Sequence, residues 1–581
     1  MREYSPTRSS LVEINSMQEK LKKIIADVLK SLGVKEPRVF LEHPEDLSHG
    51  DYSTNAAMIY AGELNMNPKE LAEKIVSAIR SDLKNSKRSD LKEVIAEIQI
   101  AGPGFINFYL SPEFFNESIK EILERKSDFG KNDLGKGKKV IVEYSSPNIA
   151  KPFTIGHLRS TIIGDSIAKI LEFSGHQVIR DNHIGDWGTQ FGKLIVAIKK
   201  WGDEKKLNKS KNPVKILVDL YIKFHKEVEK NPKLEDEARE WFKKLEQHDK
   251  ETFSLWKKIV DWSMKEFNRL YGRLGVKFDE ILPESFFEEK MREVLEEIKN
   301  KKIGQMSEGA LVIFFTEESH LPPLLVQKSD GTSLYATREL ATDKYRKEKY
   351  GKDIVIINEV GSEQKEYFKQ IFAAEEMLGW FKKGERVHIS HGLYRLPEGR
   401  MSTRKGNAVW LEDIVNEAVK RAGEFNREVA EPVAIGALKF NDLKRESKSD
   451  IVFSWDEILN LKGDSGPYLQ YTYARARSVL LKAEQEKIKP STIYHLPATD
   501  PERLLYRFPE VVERAVREYS PHYIAIYLLD LASAFNSFYN EIKIVDKNDP
   551  DSPYKVALTQ AVSIILKNGL WLLGIQTPEK M

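Results

Sequence analysis

The sequence predicts an α/β protein with a doubly wound parallel sheet, preceded by a small α+β domain and followed by an all-α helix bundle. Three observations lead to this fold class. The buried-strand run Val140–Val142 leads into a long helical repeat and then a second strand-like run at 177–180, which is the strand–helix–strand unit of a parallel sheet. Strand-like runs return at 310–315 and 354–357, so we expect the sheet to be split in sequence. From residue 455 onward, apolar residues recur only at helical spacing.

The length and composition of the chain set the first limits on its function. With 581 residues, three or four domains are expected. Lys and Arg number 91 against 89 Asp and Glu, which excludes a strongly basic nucleic-acid coat but allows local RNA-binding patches. Cysteine is absent, which excludes disulfides and thiolate zinc sites. We find no signal-like or membrane-length apolar run, and we expect a cytoplasmic protein without a membrane partner.

We expect three domains along the chain. Residues 1–125 mix a helical stripe, short strand-like runs and two turn-rich signatures, which is typical of a small α+β accessory domain. Residues 126–454 should form the domain of the parallel sheet, with a Lys/Glu-rich helical insertion at about 195–305. Residues 455–581 carry apolar stripes at helical spacing and predict the bundle.

The segment from 143 to 160 is the first motif with a chemical meaning, because it lies where the first strand gives way to the first helix. Open α/β sheets bind ligands beyond the carboxyl ends of their strands, and a helix start offers free N–H groups to phosphate. Gly156 allows a nucleotide to pack directly on the backbone. Lys151 and His157 can donate to phosphate oxygens as negative charge shifts during a displacement. The segment therefore predicts a nucleotide site.

A second motif, Gly399–Asn407, places glycines and small polar residues around Arg400, Arg404 and Lys405. This composition is typical of a mobile loop that closes over a triphosphate and acts through preorganised positive charge. A solvated basic turn is the alternative. The position of the motif after the last expected strands of the sheet favours the phosphate loop.

A third set of residues could select a substrate. Tyr335 and Glu339 stand one helical turn apart and share a face. A carboxylate with aromatic support suits a guanidinium, which is planar, forked and permanently charged. A surface Tyr–Glu pair without a ligand is the alternative for these two residues.

The helix that begins near residue 465 carries tyrosines and arginines in close succession, among them Tyr468, Tyr471, Tyr473 and Arg475. Aromatic faces stack on the bases of RNA loops, and arginines meet phosphates. Each tyrosine could instead belong to the core of the bundle.

Thr154–His157 resembles the HIGH motif of class I aminoacyl-tRNA synthetases, with threonine in the first histidine position. The longer runs 145–165 and 183–192 resemble the arginyl-tRNA synthetase family specifically. Gly399–Asn407 resembles the KMSK loop of the class, with arginine and threonine in its two lysine positions. The resemblance spans nearly the whole chain and weakens in the insertion.

This resemblance implies a class I Rossmann-type catalytic domain and a two-step reaction. Arginine is activated by ATP, which is accompanied by Mg²⁺, to arginyl-adenylate and is then transferred to the 3′ end of tRNA(Arg). The resemblance also implies that tRNA is bound before the first step, that the N-terminal domain contacts the tRNA, and that the bundle binds the anticodon. We expect a monomer with no structural metal.

The resemblance also implies the roles of individual residues. The implied catalytic residues are Lys151, Thr154, Gly156, His157, Arg400, Met401, Ser402 and Arg404. The implied arginine-binding residues are Glu143, Asn148, Tyr335, Glu339 and Gln364. The implied tRNA-binding residues are Tyr468, Tyr471, Tyr473, Arg475 and Met581. Glu339 departs from the family, which commonly has Asp there, and Lys151 is implied to supply the charge that the altered KMSK loop lacks.

Two alternatives remain open. The altered motifs would also fit a synthetase-like scaffold that holds tRNA without chemistry. A class I enzyme with another amino-acid specificity is the second alternative, although the lack of cysteine argues against relatives that hold zinc through thiolates. Arginine-dependent ATP–pyrophosphate exchange and charging assays across the amino acids separate these hypotheses.

Overall fold

The computed structural model of the chain describes residues 17–85, 89–331, 334–396, 399–400, 409–493 and 498–581. Within these ranges, no helix combines the length and the apolarity that a membrane span requires.

The N-terminal part is a three-stranded antiparallel sheet with helices packed against it. Its elements are α1 (Met17–Ser31), β1 (Tyr52–Thr54), α2 (Ala56–Tyr60), α3 (Pro68–Lys84), α4 (Ser89–Lys92), β2 (Ile95–Ala101), β3 (Phe105–Leu110) and α5 (Pro112–Arg125). The strand order is β1-β3-β2. Helix α3 begins at the N-cap Asn67, whose side chain accepts the Lys69 N–H, and Pro68 follows at a position where no N–H is needed.

The central part contains the predicted parallel sheet. Its elements up to the last parallel strand are β4 (Lys139–Glu143), α6 (Ile155–Phe173), β5 (Gln177–Asn182), α7 (Gln190–Trp201), α8 (Glu204–Lys209), α9 (Pro213–Lys230), α10 (Lys233–Glu246), α11 (Lys250–Leu274), β6 (Glu280–Ile281), α12 (Lys290–Asn300), β7 (Gly304–Ser307), β8 (Ala310–Ile313), β9 (Leu324–Gln327), α13 (Tyr335–Tyr350), β10 (Val355–Gly361), α14 (Lys365–Met377) and β11 (Arg386–His391). Five strands pair in parallel in the order β11-β10-β4-β5-β6.

The strand order reverses direction beside β4. The chain runs from β4 to β5 and β6 on one side, while β10 and β11 lie on the other. Ligands of open α/β sheets bind at such a switch point, beyond the carboxyl ends of the strands. Glu143 of β4 and Asn358 of β10 are register partners at this place, so they mark the floor of the expected crevice.

The placement of the run 310–315 in the parallel sheet was wrong. Residues of this run form β8, the middle strand of a separate antiparallel sheet β7-β8-β9. Glu308 and Gly309 join β7 to β8 and both have positive φ, 51° and 80°. Two consecutive positive φ values are the geometry of a tight hairpin, which joins antiparallel strands.

The chain then reaches the bundle through β12 (Tyr394–Leu396), β13 (Gly399–Arg400), α15 (Leu411–Gly423), α16 (Ala430–Leu443), β14 (Ile451–Val452) and α17 (Trp455–Ile458). The bundle itself consists of α18 (Gly466–Gln485), α19 (Asp500–Leu505), α20 (Phe508–Arg517), α21 (His522–Glu541) and α22 (Ser552–Leu572).

Polar contacts join the three parts. Tyr52 donates to Glu510 Oε1 at 2.6 Å, which ties the N-terminal sheet to α20. Ser166 of α6 donates to the Leu572 carbonyl at 2.8 Å. The buried Lys439 of α16 donates to the Gly574 carbonyl at 2.7 Å. The end of the chain is therefore attached to the helix that begins at the predicted nucleotide site.

Candidate active site

The loop between β4 and α6 has an unusual backbone. Three of its non-glycine residues have positive φ: Ser145 at 73°, Ser146 at 41° and Ala150 at 57°. Such values cost energy and persist only where surrounding contacts hold them. Here the Ser145 N–H donates to Ser160 Oγ at 2.9 Å, and the Ala150 N–H donates to Ser263 Oγ at 3.1 Å. A strained loop at the carboxyl end of the central strand is typical of a functional site.

Asn148 lies in this loop against the second signature. It forms a parallel bridge with Gly185, and the Ile149 N–H donates to the Gly185 carbonyl at 2.9 Å. A Cβ on Gly185 would lie 2.5 Å from Asn148 Oδ1, so no other residue fits there without a shift. The structure therefore brings the two most specific sequence motifs into direct contact.

His157, in the first turn of α6, is oriented by Thr154. The Thr154 N–H donates to His157 Nδ1 at 3.0 Å, as part of a capping box. Burial, His391 and Lys151 lower the pKa of His157 to about 4. A neutral imidazole whose Nδ1 accepts a hydrogen bond carries its proton on Nε2. His157 is thus a neutral donor through Nε2–H near pH 7.

Gly156 and Lys151 lie beside this histidine and are exposed. A Cβ at Gly156 would meet only Thr154 Oγ1, at the ordinary contact distance of 3.5 Å. Neither the packing of the protein nor a left-handed backbone therefore requires glycine here. A ligand that packs on the helix start would account for it.

The residues that follow the KMSK-like loop contact the same helix start. Leu411 N–H donates to the Phe153 carbonyl at 2.9 Å, and Thr154 forms a bridge with Trp410. Before the loop, Arg400 pairs with Arg395 in an antiparallel ladder. Met401, Ser402 and Arg404 and the side chain of Arg400 lie outside the part of the chain that the structure describes.

Below the loop lies a buried cluster that we call the ionic floor. Its members are the carboxylates of Glu143, Asp181, Glu339, Asp343 and Glu375 and the guanidinium groups of Arg346 and Arg386. Arg346 Nη2 lies 2.6 Å from Glu143 Oε2 and 2.5 Å from Asp181 Oδ2. Arg346 Nη1 lies 3.0 Å from Asp343 Oδ1. Arg386 Nη1 lies 2.8 Å from Glu375 Oε1 and also contacts Asp343.

The ionic floor contains five carboxylates but only two guanidinium groups. Buried charges without partners are costly, so the excess carboxylates require protons or another cation. Glu339 has no ion pair within the described chain, is 2% exposed, and its Oε1 accepts no hydrogen bond from the described residues. Burial together with Glu143 and Asp343 raises the pKa of Glu339 well above its ordinary value. Glu339 is therefore the carboxyl that lacks a cation.

Two tyrosines lie beside Glu339. Tyr335, one turn earlier on α13, is 43% exposed, and its ring lies 5.4 Å from that of Tyr367 on α14. Tyr367 Oη is buried without a partner among the described atoms. Burial and the nearby Glu339 carboxyl raise the pKa of Tyr367. Gln364 ends the short 3₁₀ turn that follows β10 and is half-buried. The arrangement offers two unused oxygens to a cationic donor.

Three of the predicted RNA-binding residues meet at one end of the bundle. Tyr471, Arg475 and Met581 line a cavity of about 580 Å³. The Arg475 guanidinium lies 4.9 Å from the ring of Tyr471 and 4.8 Å from that of Tyr539, which the sequence analysis did not name.

The other two predicted tyrosines lie outside this cavity. Tyr468 is half-buried, and its hydroxyl accepts from Asn536 at 3.0 Å. Tyr473 is 2% exposed and lies on the opposite flank of α18, where it donates to Glu579 at 3.2 Å.

Comparison with known proteins decides the family. Residues 118–455 match the model of the class I (R) tRNA synthetase catalytic domain, 19–110 the arginyl-tRNA synthetase N-terminal domain, and 469–581 the DALR anticodon binding domain. Arginine–tRNA ligase of Halothermothrix orenii is 41% identical over 97% of this chain and 99% of its own. The chain belongs to the arginyl-tRNA synthetases. The corresponding ligase of Clostridioides difficile is 40% identical, over 96% of this chain and 98% of its own.

Solved structures agree with this assignment. The arginyl-tRNA synthetase of Thermus thermophilus superposes with a TM-score of 0.77 at 26% identity, over 97% of this synthetase and 100% of that chain. The enzyme of Plasmodium falciparum gives 0.78 at 26% identity, over 97% and 99%. The predicted fold class and enzyme class are thereby confirmed. A class I enzyme of another specificity is no longer an alternative.

The site of this synthetase contains residues that the sequence analysis missed. Arg346 and Arg386 complete the ionic floor, and Tyr367 adds the second unused oxygen. A fourth, Glu284, contacts Arg338 at 3.4 Å, and burial raises its pKa to about 7. A sequence signal existed for one of them, because Glu339, Asp343 and Arg346 follow each other at i, i+4 and i+7 and thus share one helix face.

Proposed function

We propose that this synthetase binds the guanidinium of arginine at Glu339 and Tyr367, above the ionic floor. The observation that carries the proposal is the excess of buried carboxylates, together with two buried oxygens that have no hydrogen-bond partner in the described part of the chain. A guanidinium supplies a permanent positive charge and five N–H donors in a plane. It would neutralise Glu339 and satisfy Tyr367, while the exposed ring of Tyr335 would cover its face.

The backbone end of the amino acid would then point toward the loop of Asn148. Glu143 lies under this loop and is held by Arg346 and by Asn358, whose amide donates to Glu143 Oε2 at 3.1 Å. Gln364 stands across the crevice at the end of β10. These residues would orient the α-amino and α-carboxylate groups, as the resemblance implied.

The loop that ends at His157 would bind ATP, which enters with Mg²⁺ as its substrate complex. Among the described residues, no cluster of three or more His, Asp or Glu side chains could hold a metal ion. The Mg²⁺ would neutralise part of the phosphate charge of ATP. Gly156 would let the nucleotide pack on the start of α6, and Lys151 would contact phosphate oxygens. His157 would donate from neutral Nε2, which stabilises developing charge without a proton transfer.

The reaction then proceeds in two displacements. A carboxylate oxygen of arginine attacks the α-phosphorus of ATP, the bond to the bridging oxygen breaks, and pyrophosphate leaves with the electron pair. A ribose hydroxyl at the 3′ end of the tRNA next attacks the acyl carbon and loses its proton, and AMP leaves. We propose that Arg400, Met401, Ser402 and Arg404 close over the phosphates during the first displacement.

We propose that the three parts share the tRNA. Residues 1–125 would contact its body, 126–454 would hold the acceptor end, and 455–581 would bind the anticodon loop at Tyr471, Arg475 and Met581. The stacking of Arg475 between two tyrosine rings supports this last assignment, because such surfaces accept unpaired bases.

The assignment of the guanidinium site is tested by Glu339→Gln. This variant keeps the shape of the side chain but cannot neutralise a cation. We expect KM for arginine to rise about 10- to 100-fold in ATP–pyrophosphate exchange with tRNA present, while KM for ATP stays nearly constant. Glu348→Gln, on the same helix but 63% exposed, is the matched control. An unchanged KM for arginine in Glu339→Gln would move the specificity site elsewhere.

A further inference from the structure

A groove runs between α18 and α22, on the flank of α18 opposite to Tyr471 and Arg475; of the predicted RNA-binding residues, the buried Tyr473 lines it. Two cavities of about 580 and 570 Å³ adjoin there. They share Arg477, Leu480 and Gln560, so they form one depression, which we call the α18–α22 groove. The turn after α5 closes one end of it with Lys126 and Lys131.

The groove is strongly basic. Its cations are Lys126, Lys131, Arg477, Lys487, Lys489 and Lys567, and its acids are Glu484 and Glu579. In the whole chain, 91 Lys and Arg residues nearly balance 89 Asp and Glu residues. The groove is therefore a local concentration of positive charge. Arg477 pairs with Glu579 at 2.8 Å and Lys131 with Asp128 at 2.6 Å. Within the described residues, Lys126 and Lys567 have no carboxylate oxygen within 4.0 Å.

An aromatic surface lies among these lysines. Trp571 is 45% exposed, although a tryptophan on the last helix of a bundle would normally be covered. Its ring lies 6.2 Å from that of Phe173, and Lys131 Nζ lies 5.8 Å from the Phe173 ring. An exposed tryptophan on a surface rich in lysines is typical of sites that bind a nucleic-acid strand.

The groove lies on the other flank of α18 from the cavity of Tyr471, Arg475 and Met581. Leu481 of α18 is 40% exposed and lines neither of the two depressions, so it forms the ridge between them. A helix with its side chains is about 10 Å wide. One RNA arm laid across this ridge can therefore contact both flanks.

We propose that the α18–α22 groove binds the phosphate backbone of the tRNA anticodon arm. Lys126 and Lys567 contact phosphates, and Trp571 receives the face of an unpaired base. The proposal rests on the placement of the anticodon loop at Tyr471, Arg475 and Met581, which was proposed above. It adds a second RNA surface and extends the interface to the turn after α5.

The double variant Lys126→Ala/Lys567→Ala tests the proposal. The affinity of the full-length protein for an arginine tRNA transcript is measured over a series of salt concentrations. At about 0.1 M salt we expect about 5- to 20-fold weaker binding, and a plot of log K against log salt whose slope is smaller by about 1 to 2. Lys126→Arg/Lys567→Arg keeps the charges and should bind like the wild type.

Lys543→Ala/Lys547→Ala is the matched control, because both lysines lie in the same bundle and are 70% and 64% exposed. It should leave both affinity and slope unchanged. Trp571→Ala should weaken binding about 5- to 20-fold without a change of slope, because it removes stacking but no charge.

Wild-type affinity and slope in the double-alanine variant would overturn the proposal and make an acidic protein segment the occupant to test. Arg475→Ala distinguishes this from a failure of the underlying assignment. If Arg475→Ala weakens binding and the double-alanine variant does not, only the groove is overturned. If neither weakens binding, the placement of the anticodon loop fails as well.

Discussion

The ionic floor and the loop between β4 and α6 meet at the carboxyl end of the parallel sheet, but they handle charge by different means. The floor uses side chains that are buried and paired, such as Arg346 with Glu143 at 2.6 Å. The loop uses backbone N–H groups, an exposed Lys151 and a neutral His157. Buried charge discriminates strongly because a wrong partner leaves it unpaired. An open helix start discriminates little, but under the proposed function it would let a triphosphate enter and pyrophosphate leave.

This contrast predicts that the floor contributes to folding and binding together, whereas the loop contributes to the rate. The largest effect should therefore come from a break in the floor itself. Arg346→Met removes the cation shared by Glu143, Asp181 and Asp343 and leaves three buried carboxylates. We expect the free energy of unfolding to fall by about 3–5 kcal/mol and the midpoint of thermal unfolding to be clearly lower. Arg239→Met, at a 72% exposed ion pair, should leave the midpoint unchanged. An equally stable Arg346→Met protein would contradict the contrast.

The second largest effect is expected in the loop and should appear in turnover alone. His157→Ala removes the Nε2–H donor. We expect the kcat of ATP–pyrophosphate exchange to fall about 100- to 1000-fold, with KM for arginine and the unfolding midpoint nearly constant. A loss of arginine affinity at normal kcat would instead indicate that His157 contributes to arginine binding, as proposed for the ionic floor.

A third difference between the ionic floor and the loop concerns the pH dependence of arginine binding. In the free site, burial and the neighbouring Glu143 and Asp343 raise the pKa of Glu339 well above its ordinary value, although Arg346 and Arg386 oppose them. A bound guanidinium favours the carboxylate and lowers that pKa, so binding releases a proton. Arginine affinity should therefore rise as pH rises, by at most about tenfold per pH unit, until the free carboxyl ionises.

KM for arginine across pH, or calorimetry in buffers of different ionisation enthalpy, measures this proton release. Glu339→Gln should abolish the dependence because it has no proton to release. If arginine affinity proves independent of pH in the wild type, Glu339 is ionised before arginine binds.

The smallest effect is expected from Tyr367→Phe. Among the described residues the hydroxyl has no hydrogen-bond partner, so its removal should leave stability and kcat unchanged. KM for arginine should rise about 3- to 10-fold, because one hydrogen bond to a charged donor is lost. Tyr221→Phe, on α9 and away from the site, is the control for a general effect of the substitution. A normal KM for arginine in Tyr367→Phe would contradict a contact between Tyr367 and the bound arginine.

The sequence predicted the loop better than the floor, and the reason is physical. The chemistry of the loop depends on neighbours in the chain, so Thr154, Gly156 and His157 identify it. The floor depends on α13, α14, β4, β5 and β11 meeting in space. Glu143 and Glu339 were therefore named without Arg346 and Arg386, which neutralise the carboxylates beside them.

Two other differences between the sequence-based predictions and the structure have the same origin. The run 310–315 was placed in the parallel sheet because an apolar strand does not show in its sequence which sheet it joins. Tyr471 and Tyr473 stand two residues apart on α18 and so face opposite flanks of the helix, but only the packing of α18 shows that Tyr473 is the buried one.

Ser166 and His157 belong to the same helix, and the first of them is attached to the end of the chain at the Leu572 carbonyl. They stand nine positions apart, which is about 14 Å along the helix axis. Lys439 fastens the same terminal segment at Gly574, and that segment ends at Met581 in the cavity of Tyr471 and Arg475. Because Ser166 and His157 lie on one helix, we expect that a shift of the bundle against α6 on tRNA binding would also move His157.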